Sequence, residues 1–145
     1  MLAYLDSSVV LRHVLNGDTA LHQAFAVGKV MSSELLEIEC RRTIQRYRME
    51  GLLDDTQTAT VVEQLEDILR SIRILSLNSA VKRRAKGAFP VHVKTLDALH
   101  LATALVLQER EPEETILVYS YDASMNRCAK VLGLGAALAD GAANS

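Results

Sequence analysis

The sequence predicts an α/β fold in three layers: a central, mostly parallel sheet of four to five short strands, with helices on both faces. Three observations carry this. Strand-like runs at residues 2–5, 29–31, 74–75, 115–119 and 136–138 are short and stop at polar or turn residues. Longer stretches with apolar residues three and four apart lie between them. The runs at 2–5 and 115–119 are apolar almost throughout, as expected of strands covered on both faces.

At 145 residues and 49% hydrophobic content, the chain reads as one globular domain over 1–138, with a frayed Ala/Gly/Asn/Ser tail at 139–145. A formal net charge of −2 rules out a nucleic-acid or membrane-surface binder that works by bulk charge, though not a local basic groove. The two cysteines, Cys40 and Cys128, fall far apart inside helical patterns, as small buried residues of a reducing compartment would. No apolar run approaches the roughly 20 residues of a membrane span. The start has no basic leader and an acid at position 6, so a cytoplasmic protein is expected.

In order, Leu2-Ala3-Tyr4-Leu5 is a buried strand that ends at Asp6-Ser7-Ser8, residue types that open helices. That helix runs to Asn16-Gly17, and a short one follows over 19–27, closed by Gly28. The strand at 29–31 is followed by Ser32-Ser33 and a long helix over 33–50, ended by Gly51. A second long helix starts after Asp54-Asp55 and carries Val61, Val62, Leu65, Ile68, Leu69 and Ile72, so the two form an antiparallel pair. After the weak strand at 74–75, residues 78–88 form a helix with a basic cluster, Lys82, Arg83, Arg84 and Lys86. The stretch 95–105 is a helix apolar nearly all round, hence buried, yet it carries Asp97 in its first turn. The strand at 115–119 ends at Ser120-Tyr121-Asp122, and a helix with Met125, Cys128, Ala129 and Leu132 closes at Gly133.

Asp97 is the anomaly, because a buried charge is costly unless something compensates it. In a parallel sheet, ligands bind at the carboxyl ends of the strands, where helix N-termini also point. Asp6 and Asp122 each follow a strand and precede a helix, so they share that edge. Asp97 joins them if its helix begins there. At about 100° per residue, Glu34, Glu37, Arg41, Gln45 and Arg48 fall on the solvent side of the 33–50 helix. Leu35, Leu36, Ile38, Thr43 and Tyr47 define the other side, and Glu39 lies within it with Arg42 and Arg46. Side chains on a helix lean toward its N-terminus, which aims Glu39 at the same edge. Singly, each acid has an ordinary use as a cap, a first-turn acid or an ion-pair partner. Four together repel, and a hard divalent cation with oxygen ligands, Mg²⁺ or Mn²⁺, compensates them economically. His100, one turn beyond Asp97, reads as a hydrogen-bonded core residue.

The pieces Tyr4-Leu5-Asp6-Ser7-Ser8, Ser32-Ser33 with Ile38-Glu39 and Arg42, Leu96-Asp97-Ala98-Leu99-His100-Leu101-Ala102-Thr103-Ala104, and Ser120-Tyr121-Asp122 with Leu132-Gly133 resemble the PIN domain. Within it, they resemble the VapC-type toxin ribonucleases. The resemblance spans nearly the whole chain, and its 96–104 piece is the most specific. It implies a PIN-like three-layer fold and carries the family's acids onto Asp6, Glu39, Asp97 and Asp122, as metal ligands and catalytic residues. Ser120, where threonine is more usual, and Ser8 support them. It further implies a Mg²⁺- or Mn²⁺-dependent endoribonuclease whose metal-activated water cleaves RNA. Usual companions of such a toxin are a second copy, forming a homodimer, and a small antitoxin protein. Arg42 and Arg46 share Glu39's sector and are candidates for touching substrate phosphate, with charge balance as the competing use. The rival readings are a non-catalytic PIN-like module binding RNA or protein, and a phosphoaspartate phosphatase with Asp6 as nucleophile. The phosphatase wants an acid two residues after the first, where Ser8 stands.

Overall fold

Residues 1–138 are described by the structure, a computed structural model; the tail expected over 139–145 lies outside the described residues. The elements in order are β1 (Leu2–Leu5), α1 (Ser7–Asn16), α2 (Ala20–Val27), β2 (Lys29–Ser33), α3 (Leu35–Met49) and α4 (Asp55–Ser71). They continue with β3 (Arg73–Leu75), α5 (Ser79–Ala85), α6 (Thr95–Arg110), β4 (Ile116–Tyr119), α7 (Ala123–Val131) and β5 (Gly135–Ala136). The five strands form one sheet in the order β3-β2-β1-β4-β5, and every pairing is parallel. The expected "mostly parallel" sheet is therefore parallel throughout among the described residues.

Side-chain alternation along β1 divides the core. Ala3 and Leu5 face α1 to α4, packing with Val10, Leu21, Leu36 and Leu65. Leu2 and Tyr4 face α6 and α7, packing with Leu101, Ala104, Met125 and Cys128. This explains why α6 reads as apolar all round. One side of it meets the sheet, while Ala102 and Val106 meet Val81 of α5 on the other. Both cysteines are buried and free. No described helix is long and apolar enough to cross a membrane.

The topology sets the functional edge. From β1 the chain moves to β2 and β3 on one side, and β4 and β5 lie on the other, so the order switches direction between β1 and β4. At such a switch point the loops leaving two neighbouring strands part to opposite faces and open a crevice. Leu5 pairs with Tyr119, so Asp6 and Ser120 leave the sheet side by side. A short link joins α6 to β4, which places the C-terminus of α6 at the opposite edge and its N-terminus, with Asp97, at the crevice.

Several boundaries differ from the sequence reading. The second strand extends to Ser33, because Ser32 and Ser33 pair with Ile74 and Leu75 of β3. Its Ser32 hydroxyl donates to the Leu5 carbonyl at 2.7 Å, and Ser33 Oγ accepts from the Leu35 amide at 3.0 Å, so α3 starts later than expected. The basic helix ends at Ala85, not 88, and the last strand is Gly135–Ala136, ahead of the expected 136–138. Ile38 is 59% exposed, although the helical wheel placed it on the buried side. Only the stripe Leu36, Cys40, Ile44 is deeply buried on α3, and Ile38, two residues from Leu36, points away from it.

The α3–α4 connection ends in a full capping box. Asp54 Oδ1 accepts from the Gln57 amide at 2.7 Å, and Gln57 Oε1 accepts from the Asp54 amide at 3.0 Å. The substitution Asp54→Ala is expected to lower stability by about 1 kcal/mol in urea denaturation, while divalent-cation affinity, measured in parallel, stays as in the wild type.

Candidate metal centre

Asp6 follows β1 immediately and is buried, 5% exposed. It stands at the N-cap of α1, yet its side chain caps nothing. Its Oδ2 instead accepts two hydroxyls, from Ser8 at 2.8 Å and Ser120 at 2.9 Å. Each serine also accepts a backbone amide: Ser8 Oγ from Tyr121 at 3.1 Å, Ser120 Oγ from Asp122 at 3.0 Å. The two serines thus stitch the loop after β1 to the loop after β4. They fix Asp6 in one rotamer with Oδ1 turned toward the crevice side, 3.9 Å from His100 Nε2. The outer end of the same loop is tied by Tyr121, whose hydroxyl donates to Asp18 and whose ring lies 3.8 Å beneath the Arg12 guanidinium carbon.

Glu39 sits on the flank of α3 beside its buried stripe and is largely buried. Its partner is not Arg42 but His100, whose Nε2 lies 2.6 Å from Glu39 Oε1. The other imidazole nitrogen, Nδ1, is 2.7 Å from the Tyr4 hydroxyl, and both His100 and Tyr4 are fully buried. Burial alone presses the imidazolium pKa down. The hydrogen bond and charge of Glu39, with the charges of Asp6 and Asp97, outweigh it and raise the value. Nε2 is thus engaged by the Glu39 carboxyl, while burial keeps the Tyr4 phenol neutral. A buried row Tyr4–His100–Glu39 therefore connects β1, α6 and α3.

Asp97 is half-buried in the first turn of α6. Its pKa is pushed up to about 6, first by burial and then by the charges of Asp6 and Asp122, with a smaller contribution from Glu39; His100 opposes them. Its electrostatic neighbours are thus the three acids expected from the sequence. Asp122 is the N-cap of α7, and its Oδ1 accepts from the Met125 amide at 2.8 Å. The tightest grouping is Asp6, Glu39 and His100, with one donor atom from each within 4.8 Å of the others. Asp97 and Asp122 flank that grouping rather than belong to it.

The donor chemistry fits a hard divalent cation. Both His100 nitrogens are engaged, by Tyr4 and by Glu39, so the histidine orients a carboxylate instead of offering a lone pair. What faces the crevice is carboxylate oxygen, the donor type of Mg²⁺ and Mn²⁺. His100 was expected as a hydrogen-bonded core residue, which it is; its partner, Glu39, was missed. The only sequence signal for the pairing was spacing, since residues 97 and 100 lie on one side of a helix. Arg42 and Arg46 are exposed along α3 beside Thr43 and Met49, with Arg46 4.0 Å from Glu50.

The sequence matches the model of the PIN domain over residues 3–131, and the chain belongs to that family. PIN domains are typically metal-dependent nucleases, and the acidic cluster here is consistent with their metal site. Among solved structures it is similar to a VapBC2 complex from Rickettsia felis bound to a DNA fragment from its promoter, with a TM-score of 0.63 and 9% identity over 88% of this chain and 93% of that one. It is also similar to PAE2754 from Pyrobaculum aerophilum, with a TM-score of 0.62 and 17% identity over 100% of this chain and 91% of that one. No curated protein matches its sequence.

Two expectations follow. Tyr4→Phe removes one buried hydrogen bond without opening a cavity and leaves His100 Nδ1 without its partner. Stability in urea should fall by about 1–3 kcal/mol, and divalent-cation affinity by about tenfold as Glu39 loosens. For Asp97 the folded pKa lies above the ordinary one. Its neutral form therefore favours the metal-free fold at low pH, and that contribution is lost as pH rises through about 6. Metal-free Asp97→Asn should accordingly melt a few degrees above wild type at pH 8 and together with it at pH 4, by calorimetry.

Proposed function

We propose that this protein is an endoribonuclease dependent on Mg²⁺ or Mn²⁺, with Asp6, Glu39, Asp97 and Asp122 as its catalytic carboxylates. The observation that carries the reading is the electrostatics of Asp97. A half-buried carboxylate in an apolar helix is driven up to about 6 by its burial and then by the charges of Asp6 and Asp122, and the imidazole that opposes them, His100, is already given to Glu39. Retaining such a repulsive group makes physical sense where a cation and an incoming phosphodiester supply the compensation.

Asp6 and Glu39 would hold the cation through the oxygens left open by their hydrogen bonds, with Asp97 and Asp122 completing the donor set. When bound, the cation lowers the pKa of a coordinated water and offsets charge on the phosphoryl oxygens. The residues of the chain do the positioning. Ser8 and Ser120 hold Asp6, and Tyr4 and His100 hold Glu39. Asp122 is anchored by its cap to α7. Attack by water, not by a ribose hydroxyl, leaves a 5′-phosphate and a 3′-hydroxyl.

The likeness to a chain of the VapBC2 complex supports a finer reading as the toxin of a toxin–antitoxin pair, acting as a homodimer and neutralised by a small antitoxin protein. The test is cleavage of total cellular RNA by the purified full chain. Cleavage should need Mg²⁺ or Mn²⁺, stop in EDTA and yield 5′-phosphate ends. In Asp97→Asn, with the circular dichroism spectrum retained, it should fall by about 100-fold or more, equivalent to about 2.7 kcal/mol of transition-state stabilisation. Metal-independent cleavage, or full activity in Asp97→Asn, would refute the assignment.

A further inference from the structure

The sheet has an open edge at β3. Among the described residues this strand pairs with β2 alone, since it stands first in the strand order. The Leu75 carbonyl accepts the Glu34 amide at 3.0 Å, so residue 75 turns its backbone groups toward β2. Backbone direction alternates along a strand. Residue 73 therefore does the same, and Ile74 between them presents its N–H and C=O outward. Ile74 is 41% exposed and borders a hollow on either face of the sheet.

The two faces beside this edge differ in charge. Leu75 packs with the α6 and α7 layer, so alternation puts Arg73 on that side and the Ile74 side chain on the α4 side. On the α4 side the charges are settled: Arg70 pairs with Asp67, Glu37 pairs with Arg41, and Glu34 accepts the Leu77 amide. Ile74 and Leu69 add an apolar surface there. On the α6 side, Arg73 and Arg110 line one hollow of about 220 Å³, and no carboxylate lines it. Both arginines are exposed, and neither makes an ion pair among the described residues. The nearby Glu109 is committed to Arg84. The acid cluster does not supply the missing charge either, because the start of β3 and the end of α6 lie at the opposite edge of the sheet.

A single charge on a strand edge keeps other strands away. Two guanidinium groups from different elements, beside a free N–H and C=O, instead favour a strand that brings carboxylates. The hollow is smaller than the roughly 300–1,000 Å³ of small-ligand sites. It suits side chains of a segment laid along the edge, not a whole small molecule.

We propose that β3 is the docking edge for an extended acidic segment of a partner protein, which joins the sheet through the N–H and C=O of Ile74. Its alternate side chains divide between the faces: carboxylates meet Arg73 and Arg110, and apolar residues meet Ile74 and Leu69. A second copy of this chain fits poorly, because pairing β3 with β3 would bring the arginines of both copies together. A nucleic-acid backbone would use the arginines and leave the apolar Ile74 side without a partner. The inference goes beyond the nuclease reading and does not depend on it.

The test uses the full chain and a fluorescently labelled peptide of alternating glutamate and valine, about eight residues long, read by anisotropy. Arg73→Ala/Arg110→Ala should weaken binding about tenfold or more. A peptide with lysine for glutamate, and one with the same residues in two blocks, should bind as weakly to the wild type. Ile74→Pro removes only the outward donor and spares the ladder to β2, so binding should be lost with the circular dichroism spectrum retained. Should that variant unfold, an alternating peptide methylated at its backbone amides tests the same hydrogen bonds and should not bind. On binding, amide exchange should slow at Ile74 and change little at Leu75, which already lies in the ladder. Absence of saturable binding, equal binding of the block or methylated peptide, or wild-type affinity in the arginine variant would overturn the proposal. So would tighter binding of a single-stranded RNA, lost in the arginine variant, which would assign the pair to a nucleic-acid backbone. A dimer of the chain alone that Ile74→Pro splits would overturn it too, by assigning the edge to a second copy.

Discussion

The mutual repulsion of carboxylates at one edge of the sheet is the constraint around which the rest of the structure is arranged. Asp6, Glu39, Asp97 and Asp122 come from the starts of four different helices, and burial together with the charge they concentrate drives Asp97 up to about 6. Such a group would spread apart unless each acid were held on its own account. The holds differ in kind. Asp6 is held by two serine hydroxyls, Glu39 by an imidazole and Asp122 by the amide it caps. Only the Asp97 carboxylate lacks a hydrogen bond from the described residues, and it carries the raised pKa.

Those holds depend on the sheet. Ser120 reaches Asp6 because the parallel register sets Leu5 against Tyr119. The Tyr4 hydroxyl reaches His100 because alternation along β1 turns residue 4 toward α6 and residues 3 and 5 toward the other face. A slip of one residue in β1 would turn Tyr4 away from α6 and expose its buried row to the wrong layer. Register and the geometry of the acid cluster are therefore one property of this fold, set by the same strand.

At 9% and 17% identity, the similar structures retain the architecture with few shared residues. This is the behaviour expected of a fold whose layers tolerate hydrophobic exchange at constant volume and pattern. On this chain the basic cluster beside α6 leaves Lys82 and Lys86 exposed, while Arg84 is committed to an interhelical ion pair with Glu109.

By itself the amino-acid sequence determined the α/β class, the alternation of elements and the four acids, because each of these follows from local pattern. Apolar runs bounded by capping residues mark strands, and an acid that directly follows a strand marks the carboxyl edge. The helical wheel singled out Glu39 from three glutamates in the same way. It erred at Ile38, where only a narrow stripe of α3 is covered and the residue is exposed. Tertiary structure alone decided that β2 runs on through Ser33, that the sheet is parallel throughout, and that Glu39 pairs with His100 and not with Arg42. It also decided which lysines of the basic cluster stay open. These are contacts between residues far apart in the chain, 61 positions for Glu39 and His100, and no local periodicity encodes which distant partner a side chain meets.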